Sequence, residues 1–224
     1  MNWNIPNILT MLRLLAAPAL AVMFLYFNRP LADWFALILF VTAALTDFVD
    51  GYLARAWKQE SKFGAMLDPI ADKAMVLIAL LVIVGFSGMK AWILLPATMI
   101  IFREVFVSGL REYLGDKAHL LKVTKLAKWK TTVQMVAIAV LFSQGIFEHY
   151  LVKKCAGVDP QMLIDILSGA ASDPQGLCWK YFGMDLSYYS GIVLLWIAAA
   201  LTLITGWDYF IKALPFLKEE KNDN

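Results

Sequence analysis

Charged side chains are scarce in this 224-residue chain, and cysteines number only two. Asp, Glu, Lys and Arg make up 17% of the residues, whereas a soluble globular domain has about 25%. Hydrophobic residues make up 60%. This composition excludes an ordinary soluble domain. The chain also lacks internal repeats and low-complexity segments, so we expect one membrane domain over residues 1–224.

Six apolar segments are each about as long as the roughly 20 residues that cross the hydrocarbon core of a bilayer. They are Ile8–Phe27, Trp34–Tyr52, Met66–Phe86, Ala91–Leu110, Thr131–Phe147 and Tyr188–Phe210. We therefore predict an all-α integral membrane protein with six transmembrane helices. Because Arg13 interrupts the first segment and no convincing small-residue cleavage site follows, we expect this segment to stay in the membrane rather than be removed as a signal peptide.

The distribution of lysine and arginine indicates the orientation. If both termini are cytoplasmic, fifteen of the 20 basic residues lie in inside segments and five lie in outside segments. The five outside residues are Arg29, Lys90, Lys153, Lys154 and Lys180. This positive-inside bias predicts a multi-pass protein with both termini in the cytoplasm.

Glycine and proline concentrate in residues 148–187, which we predict to be a long external loop. The loop has room for a short amphipathic helix around Gln161–Leu167. Both cysteines, Cys155 and Cys178, fall within it. In an oxidising compartment they can form a disulfide. Two unpaired thiols are the alternative, and sequence alone does not decide between them.

Four aspartates adjoin segments apolar enough to span a bilayer: Asp47, Asp50, Asp68 and Asp72. The first two are three residues apart and the last two are four apart, so each pair shares one helix face. A carboxylate at membrane depth is costly unless something balances its charge. Two pairs of hard oxygen ligands suit Mg²⁺ or Mn²⁺ and suit softer metals poorly. The spacing predicts a metal site on the cytoplasmic side, where nucleotides are.

Each acidic fragment alone has a simpler interpretation. An Asp-x-x-Asp pair can be a solvated helix end, and Asp68-Pro69 is compatible with an N-cap followed by proline at the first helical position. The fragments are joined, however, by small residues that leave room for a phosphorylated group and by an arginine suited to phosphate. These are Gly51, Ala54, Gly64 and Arg55. The composite is too specific for chance and predicts metal-assisted phosphate chemistry, with one carboxylate taking a proton from an attacking hydroxyl.

The pattern Asp47-x2-Asp50-Gly51-x2-Ala54-Arg55-x8-Gly64-x3-Asp68-x3-Asp72 matches in full the signature of the CDP-alcohol phosphotransferase family, which the chain therefore resembles. The resemblance implies a homodimeric six-helix membrane enzyme that displaces CMP from a CDP-linked substrate with an alcohol, with no nucleic-acid partner. It also implies that the four aspartates bind two divalent metals and that Asp72 is the general base. The residues implied to bind the CDP portion are Asp50, Gly51, Ala54, Arg55, Gly64 and Asp68.

Arg103 and Arg111 bear on which alcohol is used. They are eight residues apart, so they project from nearly the same side of a helix. With Lys128 and Lys130 they predict a basic pocket for a second phosphate, which would explain a charge at membrane depth. The alternative is that Arg103 pairs with Glu104 or with an aspartate of the site, and that the lysines only contact anionic lipid.

The N-terminal segment adds three more polar candidates at the cytoplasmic entrance of the first helix, Asn7, Thr10 and Arg13. Thr10 and Arg13 are three residues apart and share a face. Since a lipid substrate must keep its acyl chains in the bilayer, we expect a polar cavity on the cytoplasmic side, open to both lipid and water. Irregular backbone at that depth is allowed where it lines such a cavity.

Three segments resemble the branch of the family that makes phosphatidylglycerol phosphate in the bacterial cytoplasmic (inner) membrane. They are Asn4-Ile5-Pro6-Asn7, Arg103-Glu104 with Ser108-Gly109-Leu110-Arg111, and Lys128-x-Lys130-Thr131 with Gln134-Met135. The resemblance implies transfer of the phosphatidyl group of CDP-diacylglycerol to sn-glycerol 3-phosphate. It also implies that the acceptor phosphate is bound by Arg103, Ser108, Arg111, Lys128 and Lys130. Two alternatives remain: another acceptor such as inositol phosphate or serine, or a cation transporter. A transporter would be expected to place its ionisable groups along a pathway, often at the midplane.

Overall fold

The computed structural model describes residues 5–57, 62–115 and 125–219; within them, the side chains at 5–6, 47–57, 62, 65, 125, 127–128 and 218–219 are not described. The described residues form seven α-helices and no strand, which confirms the all-α prediction. The helices are α1 (Ile5–Tyr26), α2 (Leu31–Trp57), α3 (Lys62–Phe86), α4 (Ala91–Leu114), α5 (Lys125–Cys155), α6 (Pro160–Leu167) and α7 (Leu177–Glu219).

Five of these helices are long and apolar enough to cross a membrane. The spans are Asn7–Tyr26, Met66–Phe86, Ala91–Leu114, Trp129–Cys155 and Leu177–Leu217. Helix α2 covers the predicted second segment, but its apolar stretch with described side chains is the shorter Leu31–Thr46. The chain is therefore a membrane protein by the length and composition of its helices, while the sixth crossing stays a prediction.

The turn between α3 and α4 falls where the apolar pattern breaks. Gly88 and Met89 both have positive φ, 65° and 57°. Left-handed backbone ends a right-handed helix, and glycine adopts it at little cost. The predicted end of the third segment at Phe86 and the predicted start of the fourth at Ala91 are both confirmed.

Residues 148–187 are more helical than predicted. Helix α5 continues to Cys155 and α7 begins at Leu177, so the predicted loop is wrong at both of its ends. The short helix inside it is confirmed as Pro160–Leu167. Hydropathy predicts where the apolar stretch of a helix ends, which is not where the helix itself ends. Polar residues can extend a helix beyond the hydrocarbon, because the hydrogen bonds of a helix are made by its backbone.

Asp173 fixes the start of α7. Its carboxylate accepts backbone hydrogen bonds from Leu177 (2.8 Å) and Cys178 (2.9 Å), which satisfy N–H groups that the first turn leaves unpaired. These bonds hold the pKa of Asp173 below its ordinary value. Cys155 and Cys178 are both free thiols, and the latter donates to the carbonyl of Ile166 at 3.2 Å. The structure thus has the unpaired alternative rather than the disulfide.

The chain divides into two compact units. Unit 1 comprises Met1–Ile83 and Ile138–Gly191, and unit 2 comprises Val84–Ala137 and Ile192–Asn224. Within unit 1, α1 packs against α2. Three aromatic rings pack together in this unit: the ring centres of Phe24 and Phe40 each lie 6.0 Å from the ring centre of Phe142.

Within unit 2, α4 and α7 lie side by side and run in the same direction. The ring of Trp92 lies 6.3 Å from Trp196, and that of Phe106 lies 5.8 Å from Phe210, so residue numbers rise together along the two helices. The indole N–H of Trp196 also donates to the carbonyl of Trp92 at 3.0 Å. This pairing positions the basic residues of α4 against α7.

An ion pair with a buried carboxylate lies at the start of α2 in unit 1. Arg29 donates to both carboxylate oxygens of Asp33, at 2.8 and 2.7 Å, and Asp33 is only 1% exposed. This hydrogen bonding raises the pKa of Arg29 further. Glu148 lies 3.8 Å from Arg29. Gly145 is buried directly against the pair, where a Cβ atom would overlap the ends of both side chains.

Candidate functional site

Asp68 and Asp72 lie one turn apart on α3 and face two polar residues of α1. The hydroxyl of Thr10 donates to Asp68 Oδ1 at 2.5 Å, and the guanidinium of Arg13 donates to Asp72 Oδ1 at 2.6 Å. Since Thr10 precedes Arg13 as Asp68 precedes Asp72, α1 and α3 run in the same direction here. The structure therefore brings the predicted polar face of the first helix onto two of the four aspartates.

The α1 side of this contact is deeply buried, and the α3 side is partly open. Asn7, Thr10 and Arg13 are 5%, 2% and 3% exposed, whereas 40% of the Asp72 side chain is exposed. A buried cation and hydroxyl thus hold two carboxylates that keep access to their surroundings. Outer partners of this kind orient carboxylates that bind metal.

The simpler interpretation of Asp68 as a helix cap is wrong. Helix α3 begins at Lys62, so Asp68 and Pro69 lie inside the helix rather than at its start. Proline in a helix interior removes one backbone hydrogen bond and is costly. Gly64 is buried one turn earlier on the same helix.

The other half of the predicted signature lies where side chains are not described. Asp47, Asp50, Gly51, Ala54 and Arg55 belong to α2 by their backbone, and their side chains lie outside the described residues. Among the side chains that the structure does describe, no group of three or more acidic, histidine or cysteine residues comes together as a metal site. The four-aspartate metal site and the CDP contacts therefore stay predictions.

In unit 2, Glu104 is shared by two buried cations. Arg103 donates to Glu104 Oε1 at 3.2 Å and Lys130 forms an ion pair with the same oxygen. Arg103 is 8% exposed and Lys130 is 5% exposed. The predicted alternative, that Arg103 pairs with Glu104, is confirmed as a contact. Glu104 thus lies between two buried cations and joins α4 to α5 within unit 2.

Helix α7 supplies the remaining contacts of Arg103. Its guanidinium donates to the hydroxyl of Thr205 at 3.4 Å. Gly206 allows the approach, because a Cβ atom there would lie 2.8 Å from Arg103 Cγ. A position without a side chain on α7 therefore makes room for the arginine of α4.

Tyr209 joins the two predicted arginines. The guanidinium carbon of Arg103 lies 6.0 Å from the centre of its ring and that of Arg111 lies 5.1 Å away. Arg111 also donates to the tyrosine hydroxyl at 2.6 Å. The expectation that residues eight apart project from one side of α4 is confirmed.

Two other predicted phosphate ligands are placed differently. The hydroxyl of Ser108 donates to the backbone carbonyl of Glu104 at 2.6 Å, one turn back on α4. The side chain of Lys128 lies outside the described residues. Of the five predicted ligands of the acceptor phosphate, the structure joins Arg103, Arg111 and Lys130 through shared partners.

Sequence reasoning missed the two α7 residues of this cluster, Thr205 and Tyr209, which are 2% and 3% exposed. Two further polar residues of unit 2, Gln134 and Thr202, are 3% and 0% exposed. Gln134 carried a signal, because it is a polar side chain within an apolar segment, one turn after Lys130. The threonines carried little signal, since threonine is common in membrane helices and its hydroxyl often bonds to its own helix.

Comparison with known proteins gives consistent results. A family model described as CDP-alcohol phosphatidyltransferase matches residues 3–168. A Cereibacter sphaeroides protein is 65% identical over 99% of this chain and 100% of its own length. A Rickettsia bellii protein is 37% identical over 92% of this chain and 93% of its own length. A Haemophilus influenzae protein is 35% identical over 93% of this chain and 92% of its own length. All three are named CDP-diacylglycerol--glycerol-3-phosphate 3-phosphatidyltransferase.

Proposed function

This chain belongs to the CDP-alcohol phosphatidyltransferase family, and on that premise we propose that it transfers the phosphatidyl group of CDP-diacylglycerol to sn-glycerol 3-phosphate. The products are phosphatidylglycerol phosphate and CMP, so the enzyme acts in phospholipid biosynthesis. The observation that carries the proposal is the 65% identity, over 99% of the chain, with a relative named for this activity.

Asp47, Asp50, Asp68 and Asp72 would hold two divalent ions, Mg²⁺ or Mn²⁺. The donor set fits, because it consists of carboxylate oxygens, which these hard cations prefer. Contacts from Thr10 and Arg13 support it by orienting the two carboxylates of α3. When bound, the ions neutralise the negative charge of the diphosphate. The CDP portion would lie against Gly51, Ala54, Arg55 and Gly64, where small side chains allow close approach.

The reaction needs a base, and we assign this role to Asp72. Its side chain is partly exposed while Arg13 fixes one of its oxygens. Asp72 takes the proton from the primary hydroxyl of glycerol 3-phosphate. The resulting oxygen attacks the phosphorus attached to diacylglycerol, the bond from that phosphorus to the bridging oxygen breaks, and CMP leaves with the electron pair.

The phosphate of the acceptor is bound by Arg103, Arg111 and Lys130, with Ser108 and Lys128 as further ligands. The support for this assignment is electrostatic. Arg103 and Lys130 are buried together around Glu104, and Arg111 adds a third cation through Tyr209, so three basic side chains lie close together. Arginine is well suited to phosphate because its planar fork donates two parallel hydrogen bonds.

The enzyme works in the bacterial inner membrane, as a homodimer with six transmembrane helices. Both termini and the active site face the cytoplasm, and the polar cavity opens sideways to lipid and downward to water. The positive-inside bias supports this orientation, and the family resemblance supports the homodimer. The relatives named above are bacterial proteins.

The test is CMP release by the purified full-length protein in detergent. With CDP-diacylglycerol, Mg²⁺ and glycerol 3-phosphate we expect steady release, and EDTA should abolish it until Mg²⁺ or Mn²⁺ is restored. Inositol phosphate and serine should support little release. Asp72→Asn should stay inactive at any Mg²⁺ concentration because it removes the base, whereas Asp68→Asn should recover in part with excess metal.

Two results would overturn the proposal. Undiminished release in metal-free buffer would exclude the metal-dependent mechanism. A preference for inositol phosphate or serine over glycerol 3-phosphate would keep the family and reject the acceptor.

A further inference from the structure

Arg111 of α4 is held by one neutral residue of α7. Its guanidinium donates to the hydroxyl of Tyr209 at 2.6 Å, and its guanidinium carbon lies 5.1 Å from the centre of the same ring. Both residues belong to unit 2. A single side chain therefore makes a hydrogen bond and a cation–π contact with this arginine.

Tyr209 is itself fixed by an apolar cluster. It is 3% exposed and packs with Val107 and Leu114 of α4 and with Ala213 of α7, which are all buried. Side chains in a close-packed cluster keep one rotamer, so the hydroxyl at the end of this ring has a fixed place. Arg111, in contrast, is exposed, and a long exposed side chain has many rotamers to choose from. The tyrosine thus restricts the arginine.

The contact orients Arg111 without cancelling its charge. A tyrosine side chain is neutral, and among the side chains that the structure describes no carboxylate forms an ion pair with Arg111. A carboxylate would bind a guanidinium more strongly, but it would occupy the donor fork and compete with any anionic ligand. An arginine that is oriented by a neutral partner keeps its charge for an anion.

The same ring also contacts the second arginine assigned to the acceptor phosphate. The guanidinium carbon of Arg103 lies 6.0 Å from the centre of the Tyr209 ring. An anion that binds to loose arginines has to restrict their motion, and this lowers its affinity. When the arginines are already held, that loss occurs during folding instead of during binding. Tyr209 is therefore placed to increase the affinity for the phosphate without touching it.

We infer that Tyr209 is a positioning residue of the acceptor site, which holds Arg111 in the orientation that binds the phosphate of glycerol 3-phosphate. The inference rests on the proposed function and deepens it. Tyr209 acts through Arg111, so its contribution is to the binding of the acceptor rather than to the binding of CDP-diacylglycerol or to the chemical step. It is not part of the family signature described above.

The experiment uses Tyr209→Phe, which removes the hydroxyl and keeps the ring with its packing. CMP release by the full-length enzyme in detergent, with each substrate varied in turn, gives both KM values and kcat. The KM for glycerol 3-phosphate should rise about 3- to 10-fold, because the hydrogen bond that orients Arg111 is lost. The KM for CDP-diacylglycerol, kcat and the thermal unfolding midpoint should stay at their wild-type levels.

A double substitution tests whether the effect passes through Arg111. In a protein that already carries Arg111→Ala, adding Tyr209→Phe should raise the KM for glycerol 3-phosphate no further, because the residue to be positioned is gone. Tyr189→Phe is the matched control, since it makes the same change on α7 at a residue that is 64% exposed. It should leave both KM values unchanged.

Four results would overturn the inference. They are an unchanged KM for glycerol 3-phosphate in Tyr209→Phe, equal rises of both KM values, an equally large rise when Arg111→Ala is already present, and a Tyr209→Phe variant that does not fold. The third would show that Tyr209 acts independently of Arg111, and the fourth would make its hydroxyl a structural requirement. A wild type that releases no CMP with glycerol 3-phosphate overturns the proposed function, on which the inference depends.

Discussion

Arg103 and Arg111 reach the same tyrosine from different environments. Arg103 is buried among Glu104, Thr205 and the ring of Tyr209, whereas Arg111 is exposed and donates to the Tyr209 hydroxyl. Spacing alone predicts that both lie on one side of α4. It does not predict the tyrosine, because that contact requires knowing which helix lies opposite.

Removing either arginine should weaken binding of the acceptor. In Arg103→Ala or Arg111→Ala, the apparent KM for glycerol 3-phosphate should rise about 10- to 150-fold, the equivalent of losing a charge-assisted contact of about 1.5–3 kcal/mol. The KM for CDP-diacylglycerol should change little. Steady-state CMP release, with each substrate varied in turn, measures both constants.

Lys212→Ala is the matched control for the arginines. Lys212 forms an exposed ion pair with Asp208 at 2.5 Å, and a surface pair of this kind contributes little. Both KM values should stay at their wild-type level. Equal increases for the two substrates in the arginine variants would place these residues in a structural network rather than in a phosphate site.

Some helix boundaries can be predicted from the sequence and others cannot. Hydropathy and a glycine turn predict the α3–α4 boundary to the residue, because the two signals coincide at Phe86–Ala91. They fail after Phe147, where α5 continues for two more turns to Cys155. Beyond the hydrocarbon no apolar pattern is needed, so the end of a helix there depends on local caps and packing.

The contact of α1 with α3 was only half predictable. The spacing of Thr10 and Arg13 predicts a shared polar face, and the spacing of Asp68 and Asp72 predicts another. That these faces meet is a tertiary contact between distant parts of the chain. The buried pair of Arg29 with Asp33 was also missed, although the i, i+4 spacing of opposite charges is visible in the sequence.

Packing of α5 against the start of α2 depends on Gly145. Gly145→Ala should destabilise the fold by about 1–3 kcal/mol, because the new methyl group overlaps Arg29 and Asp33 and overpacking has a cost of this size. The thermal unfolding midpoint in detergent should fall. Arg29 and Asp33 cannot move apart without leaving the buried carboxylate of Asp33 without its partner.

Gly85→Ala is the corresponding control on α3. A Cβ atom at Gly85 would meet nothing within 4 Å, and alanine in place of helical glycine stabilises by about 0.5–1 kcal/mol. The midpoint should therefore stay constant or rise. Equal midpoints for both variants would show that the space around Gly145 adapts to a methyl group.

The membrane orientation is a property of the whole molecule. Many large apolar side chains are exposed on the outside of the helices, among them Leu25, Leu81, Phe102 and Trp207 at 77%, 65%, 68% and 64%. A soluble monomer rarely exposes so much apolar surface, whereas lipid covers it at no cost. Which end of each helix faces the cytoplasm is then decided by the basic residues.

Thiol labelling tests the orientation. In a background with Cys155 and Cys178 changed to serine, Thr131→Cys should react with a membrane-impermeant thiol reagent only from the cytoplasmic side. CDP-diacylglycerol with Mg²⁺ should slow this reaction. Ser168→Cys, after the short helix α6, should react only from the opposite side. A Thr131→Cys thiol labelled from the outer face would reverse the topology and move the active site with it.

The two units have a consequence for synthesis of the protein, because each is assembled from separate stretches of the chain. Unit 1 needs Ile138–Gly191 as well as Met1–Ile83, and unit 2 needs Ile192–Asn224 as well as Val84–Ala137. A ribosome delivers the chain from its N-terminus, so α1 and α3 can form their contacts early. Both units then wait for α7, and a nascent chain that stops within α5 can complete neither of them.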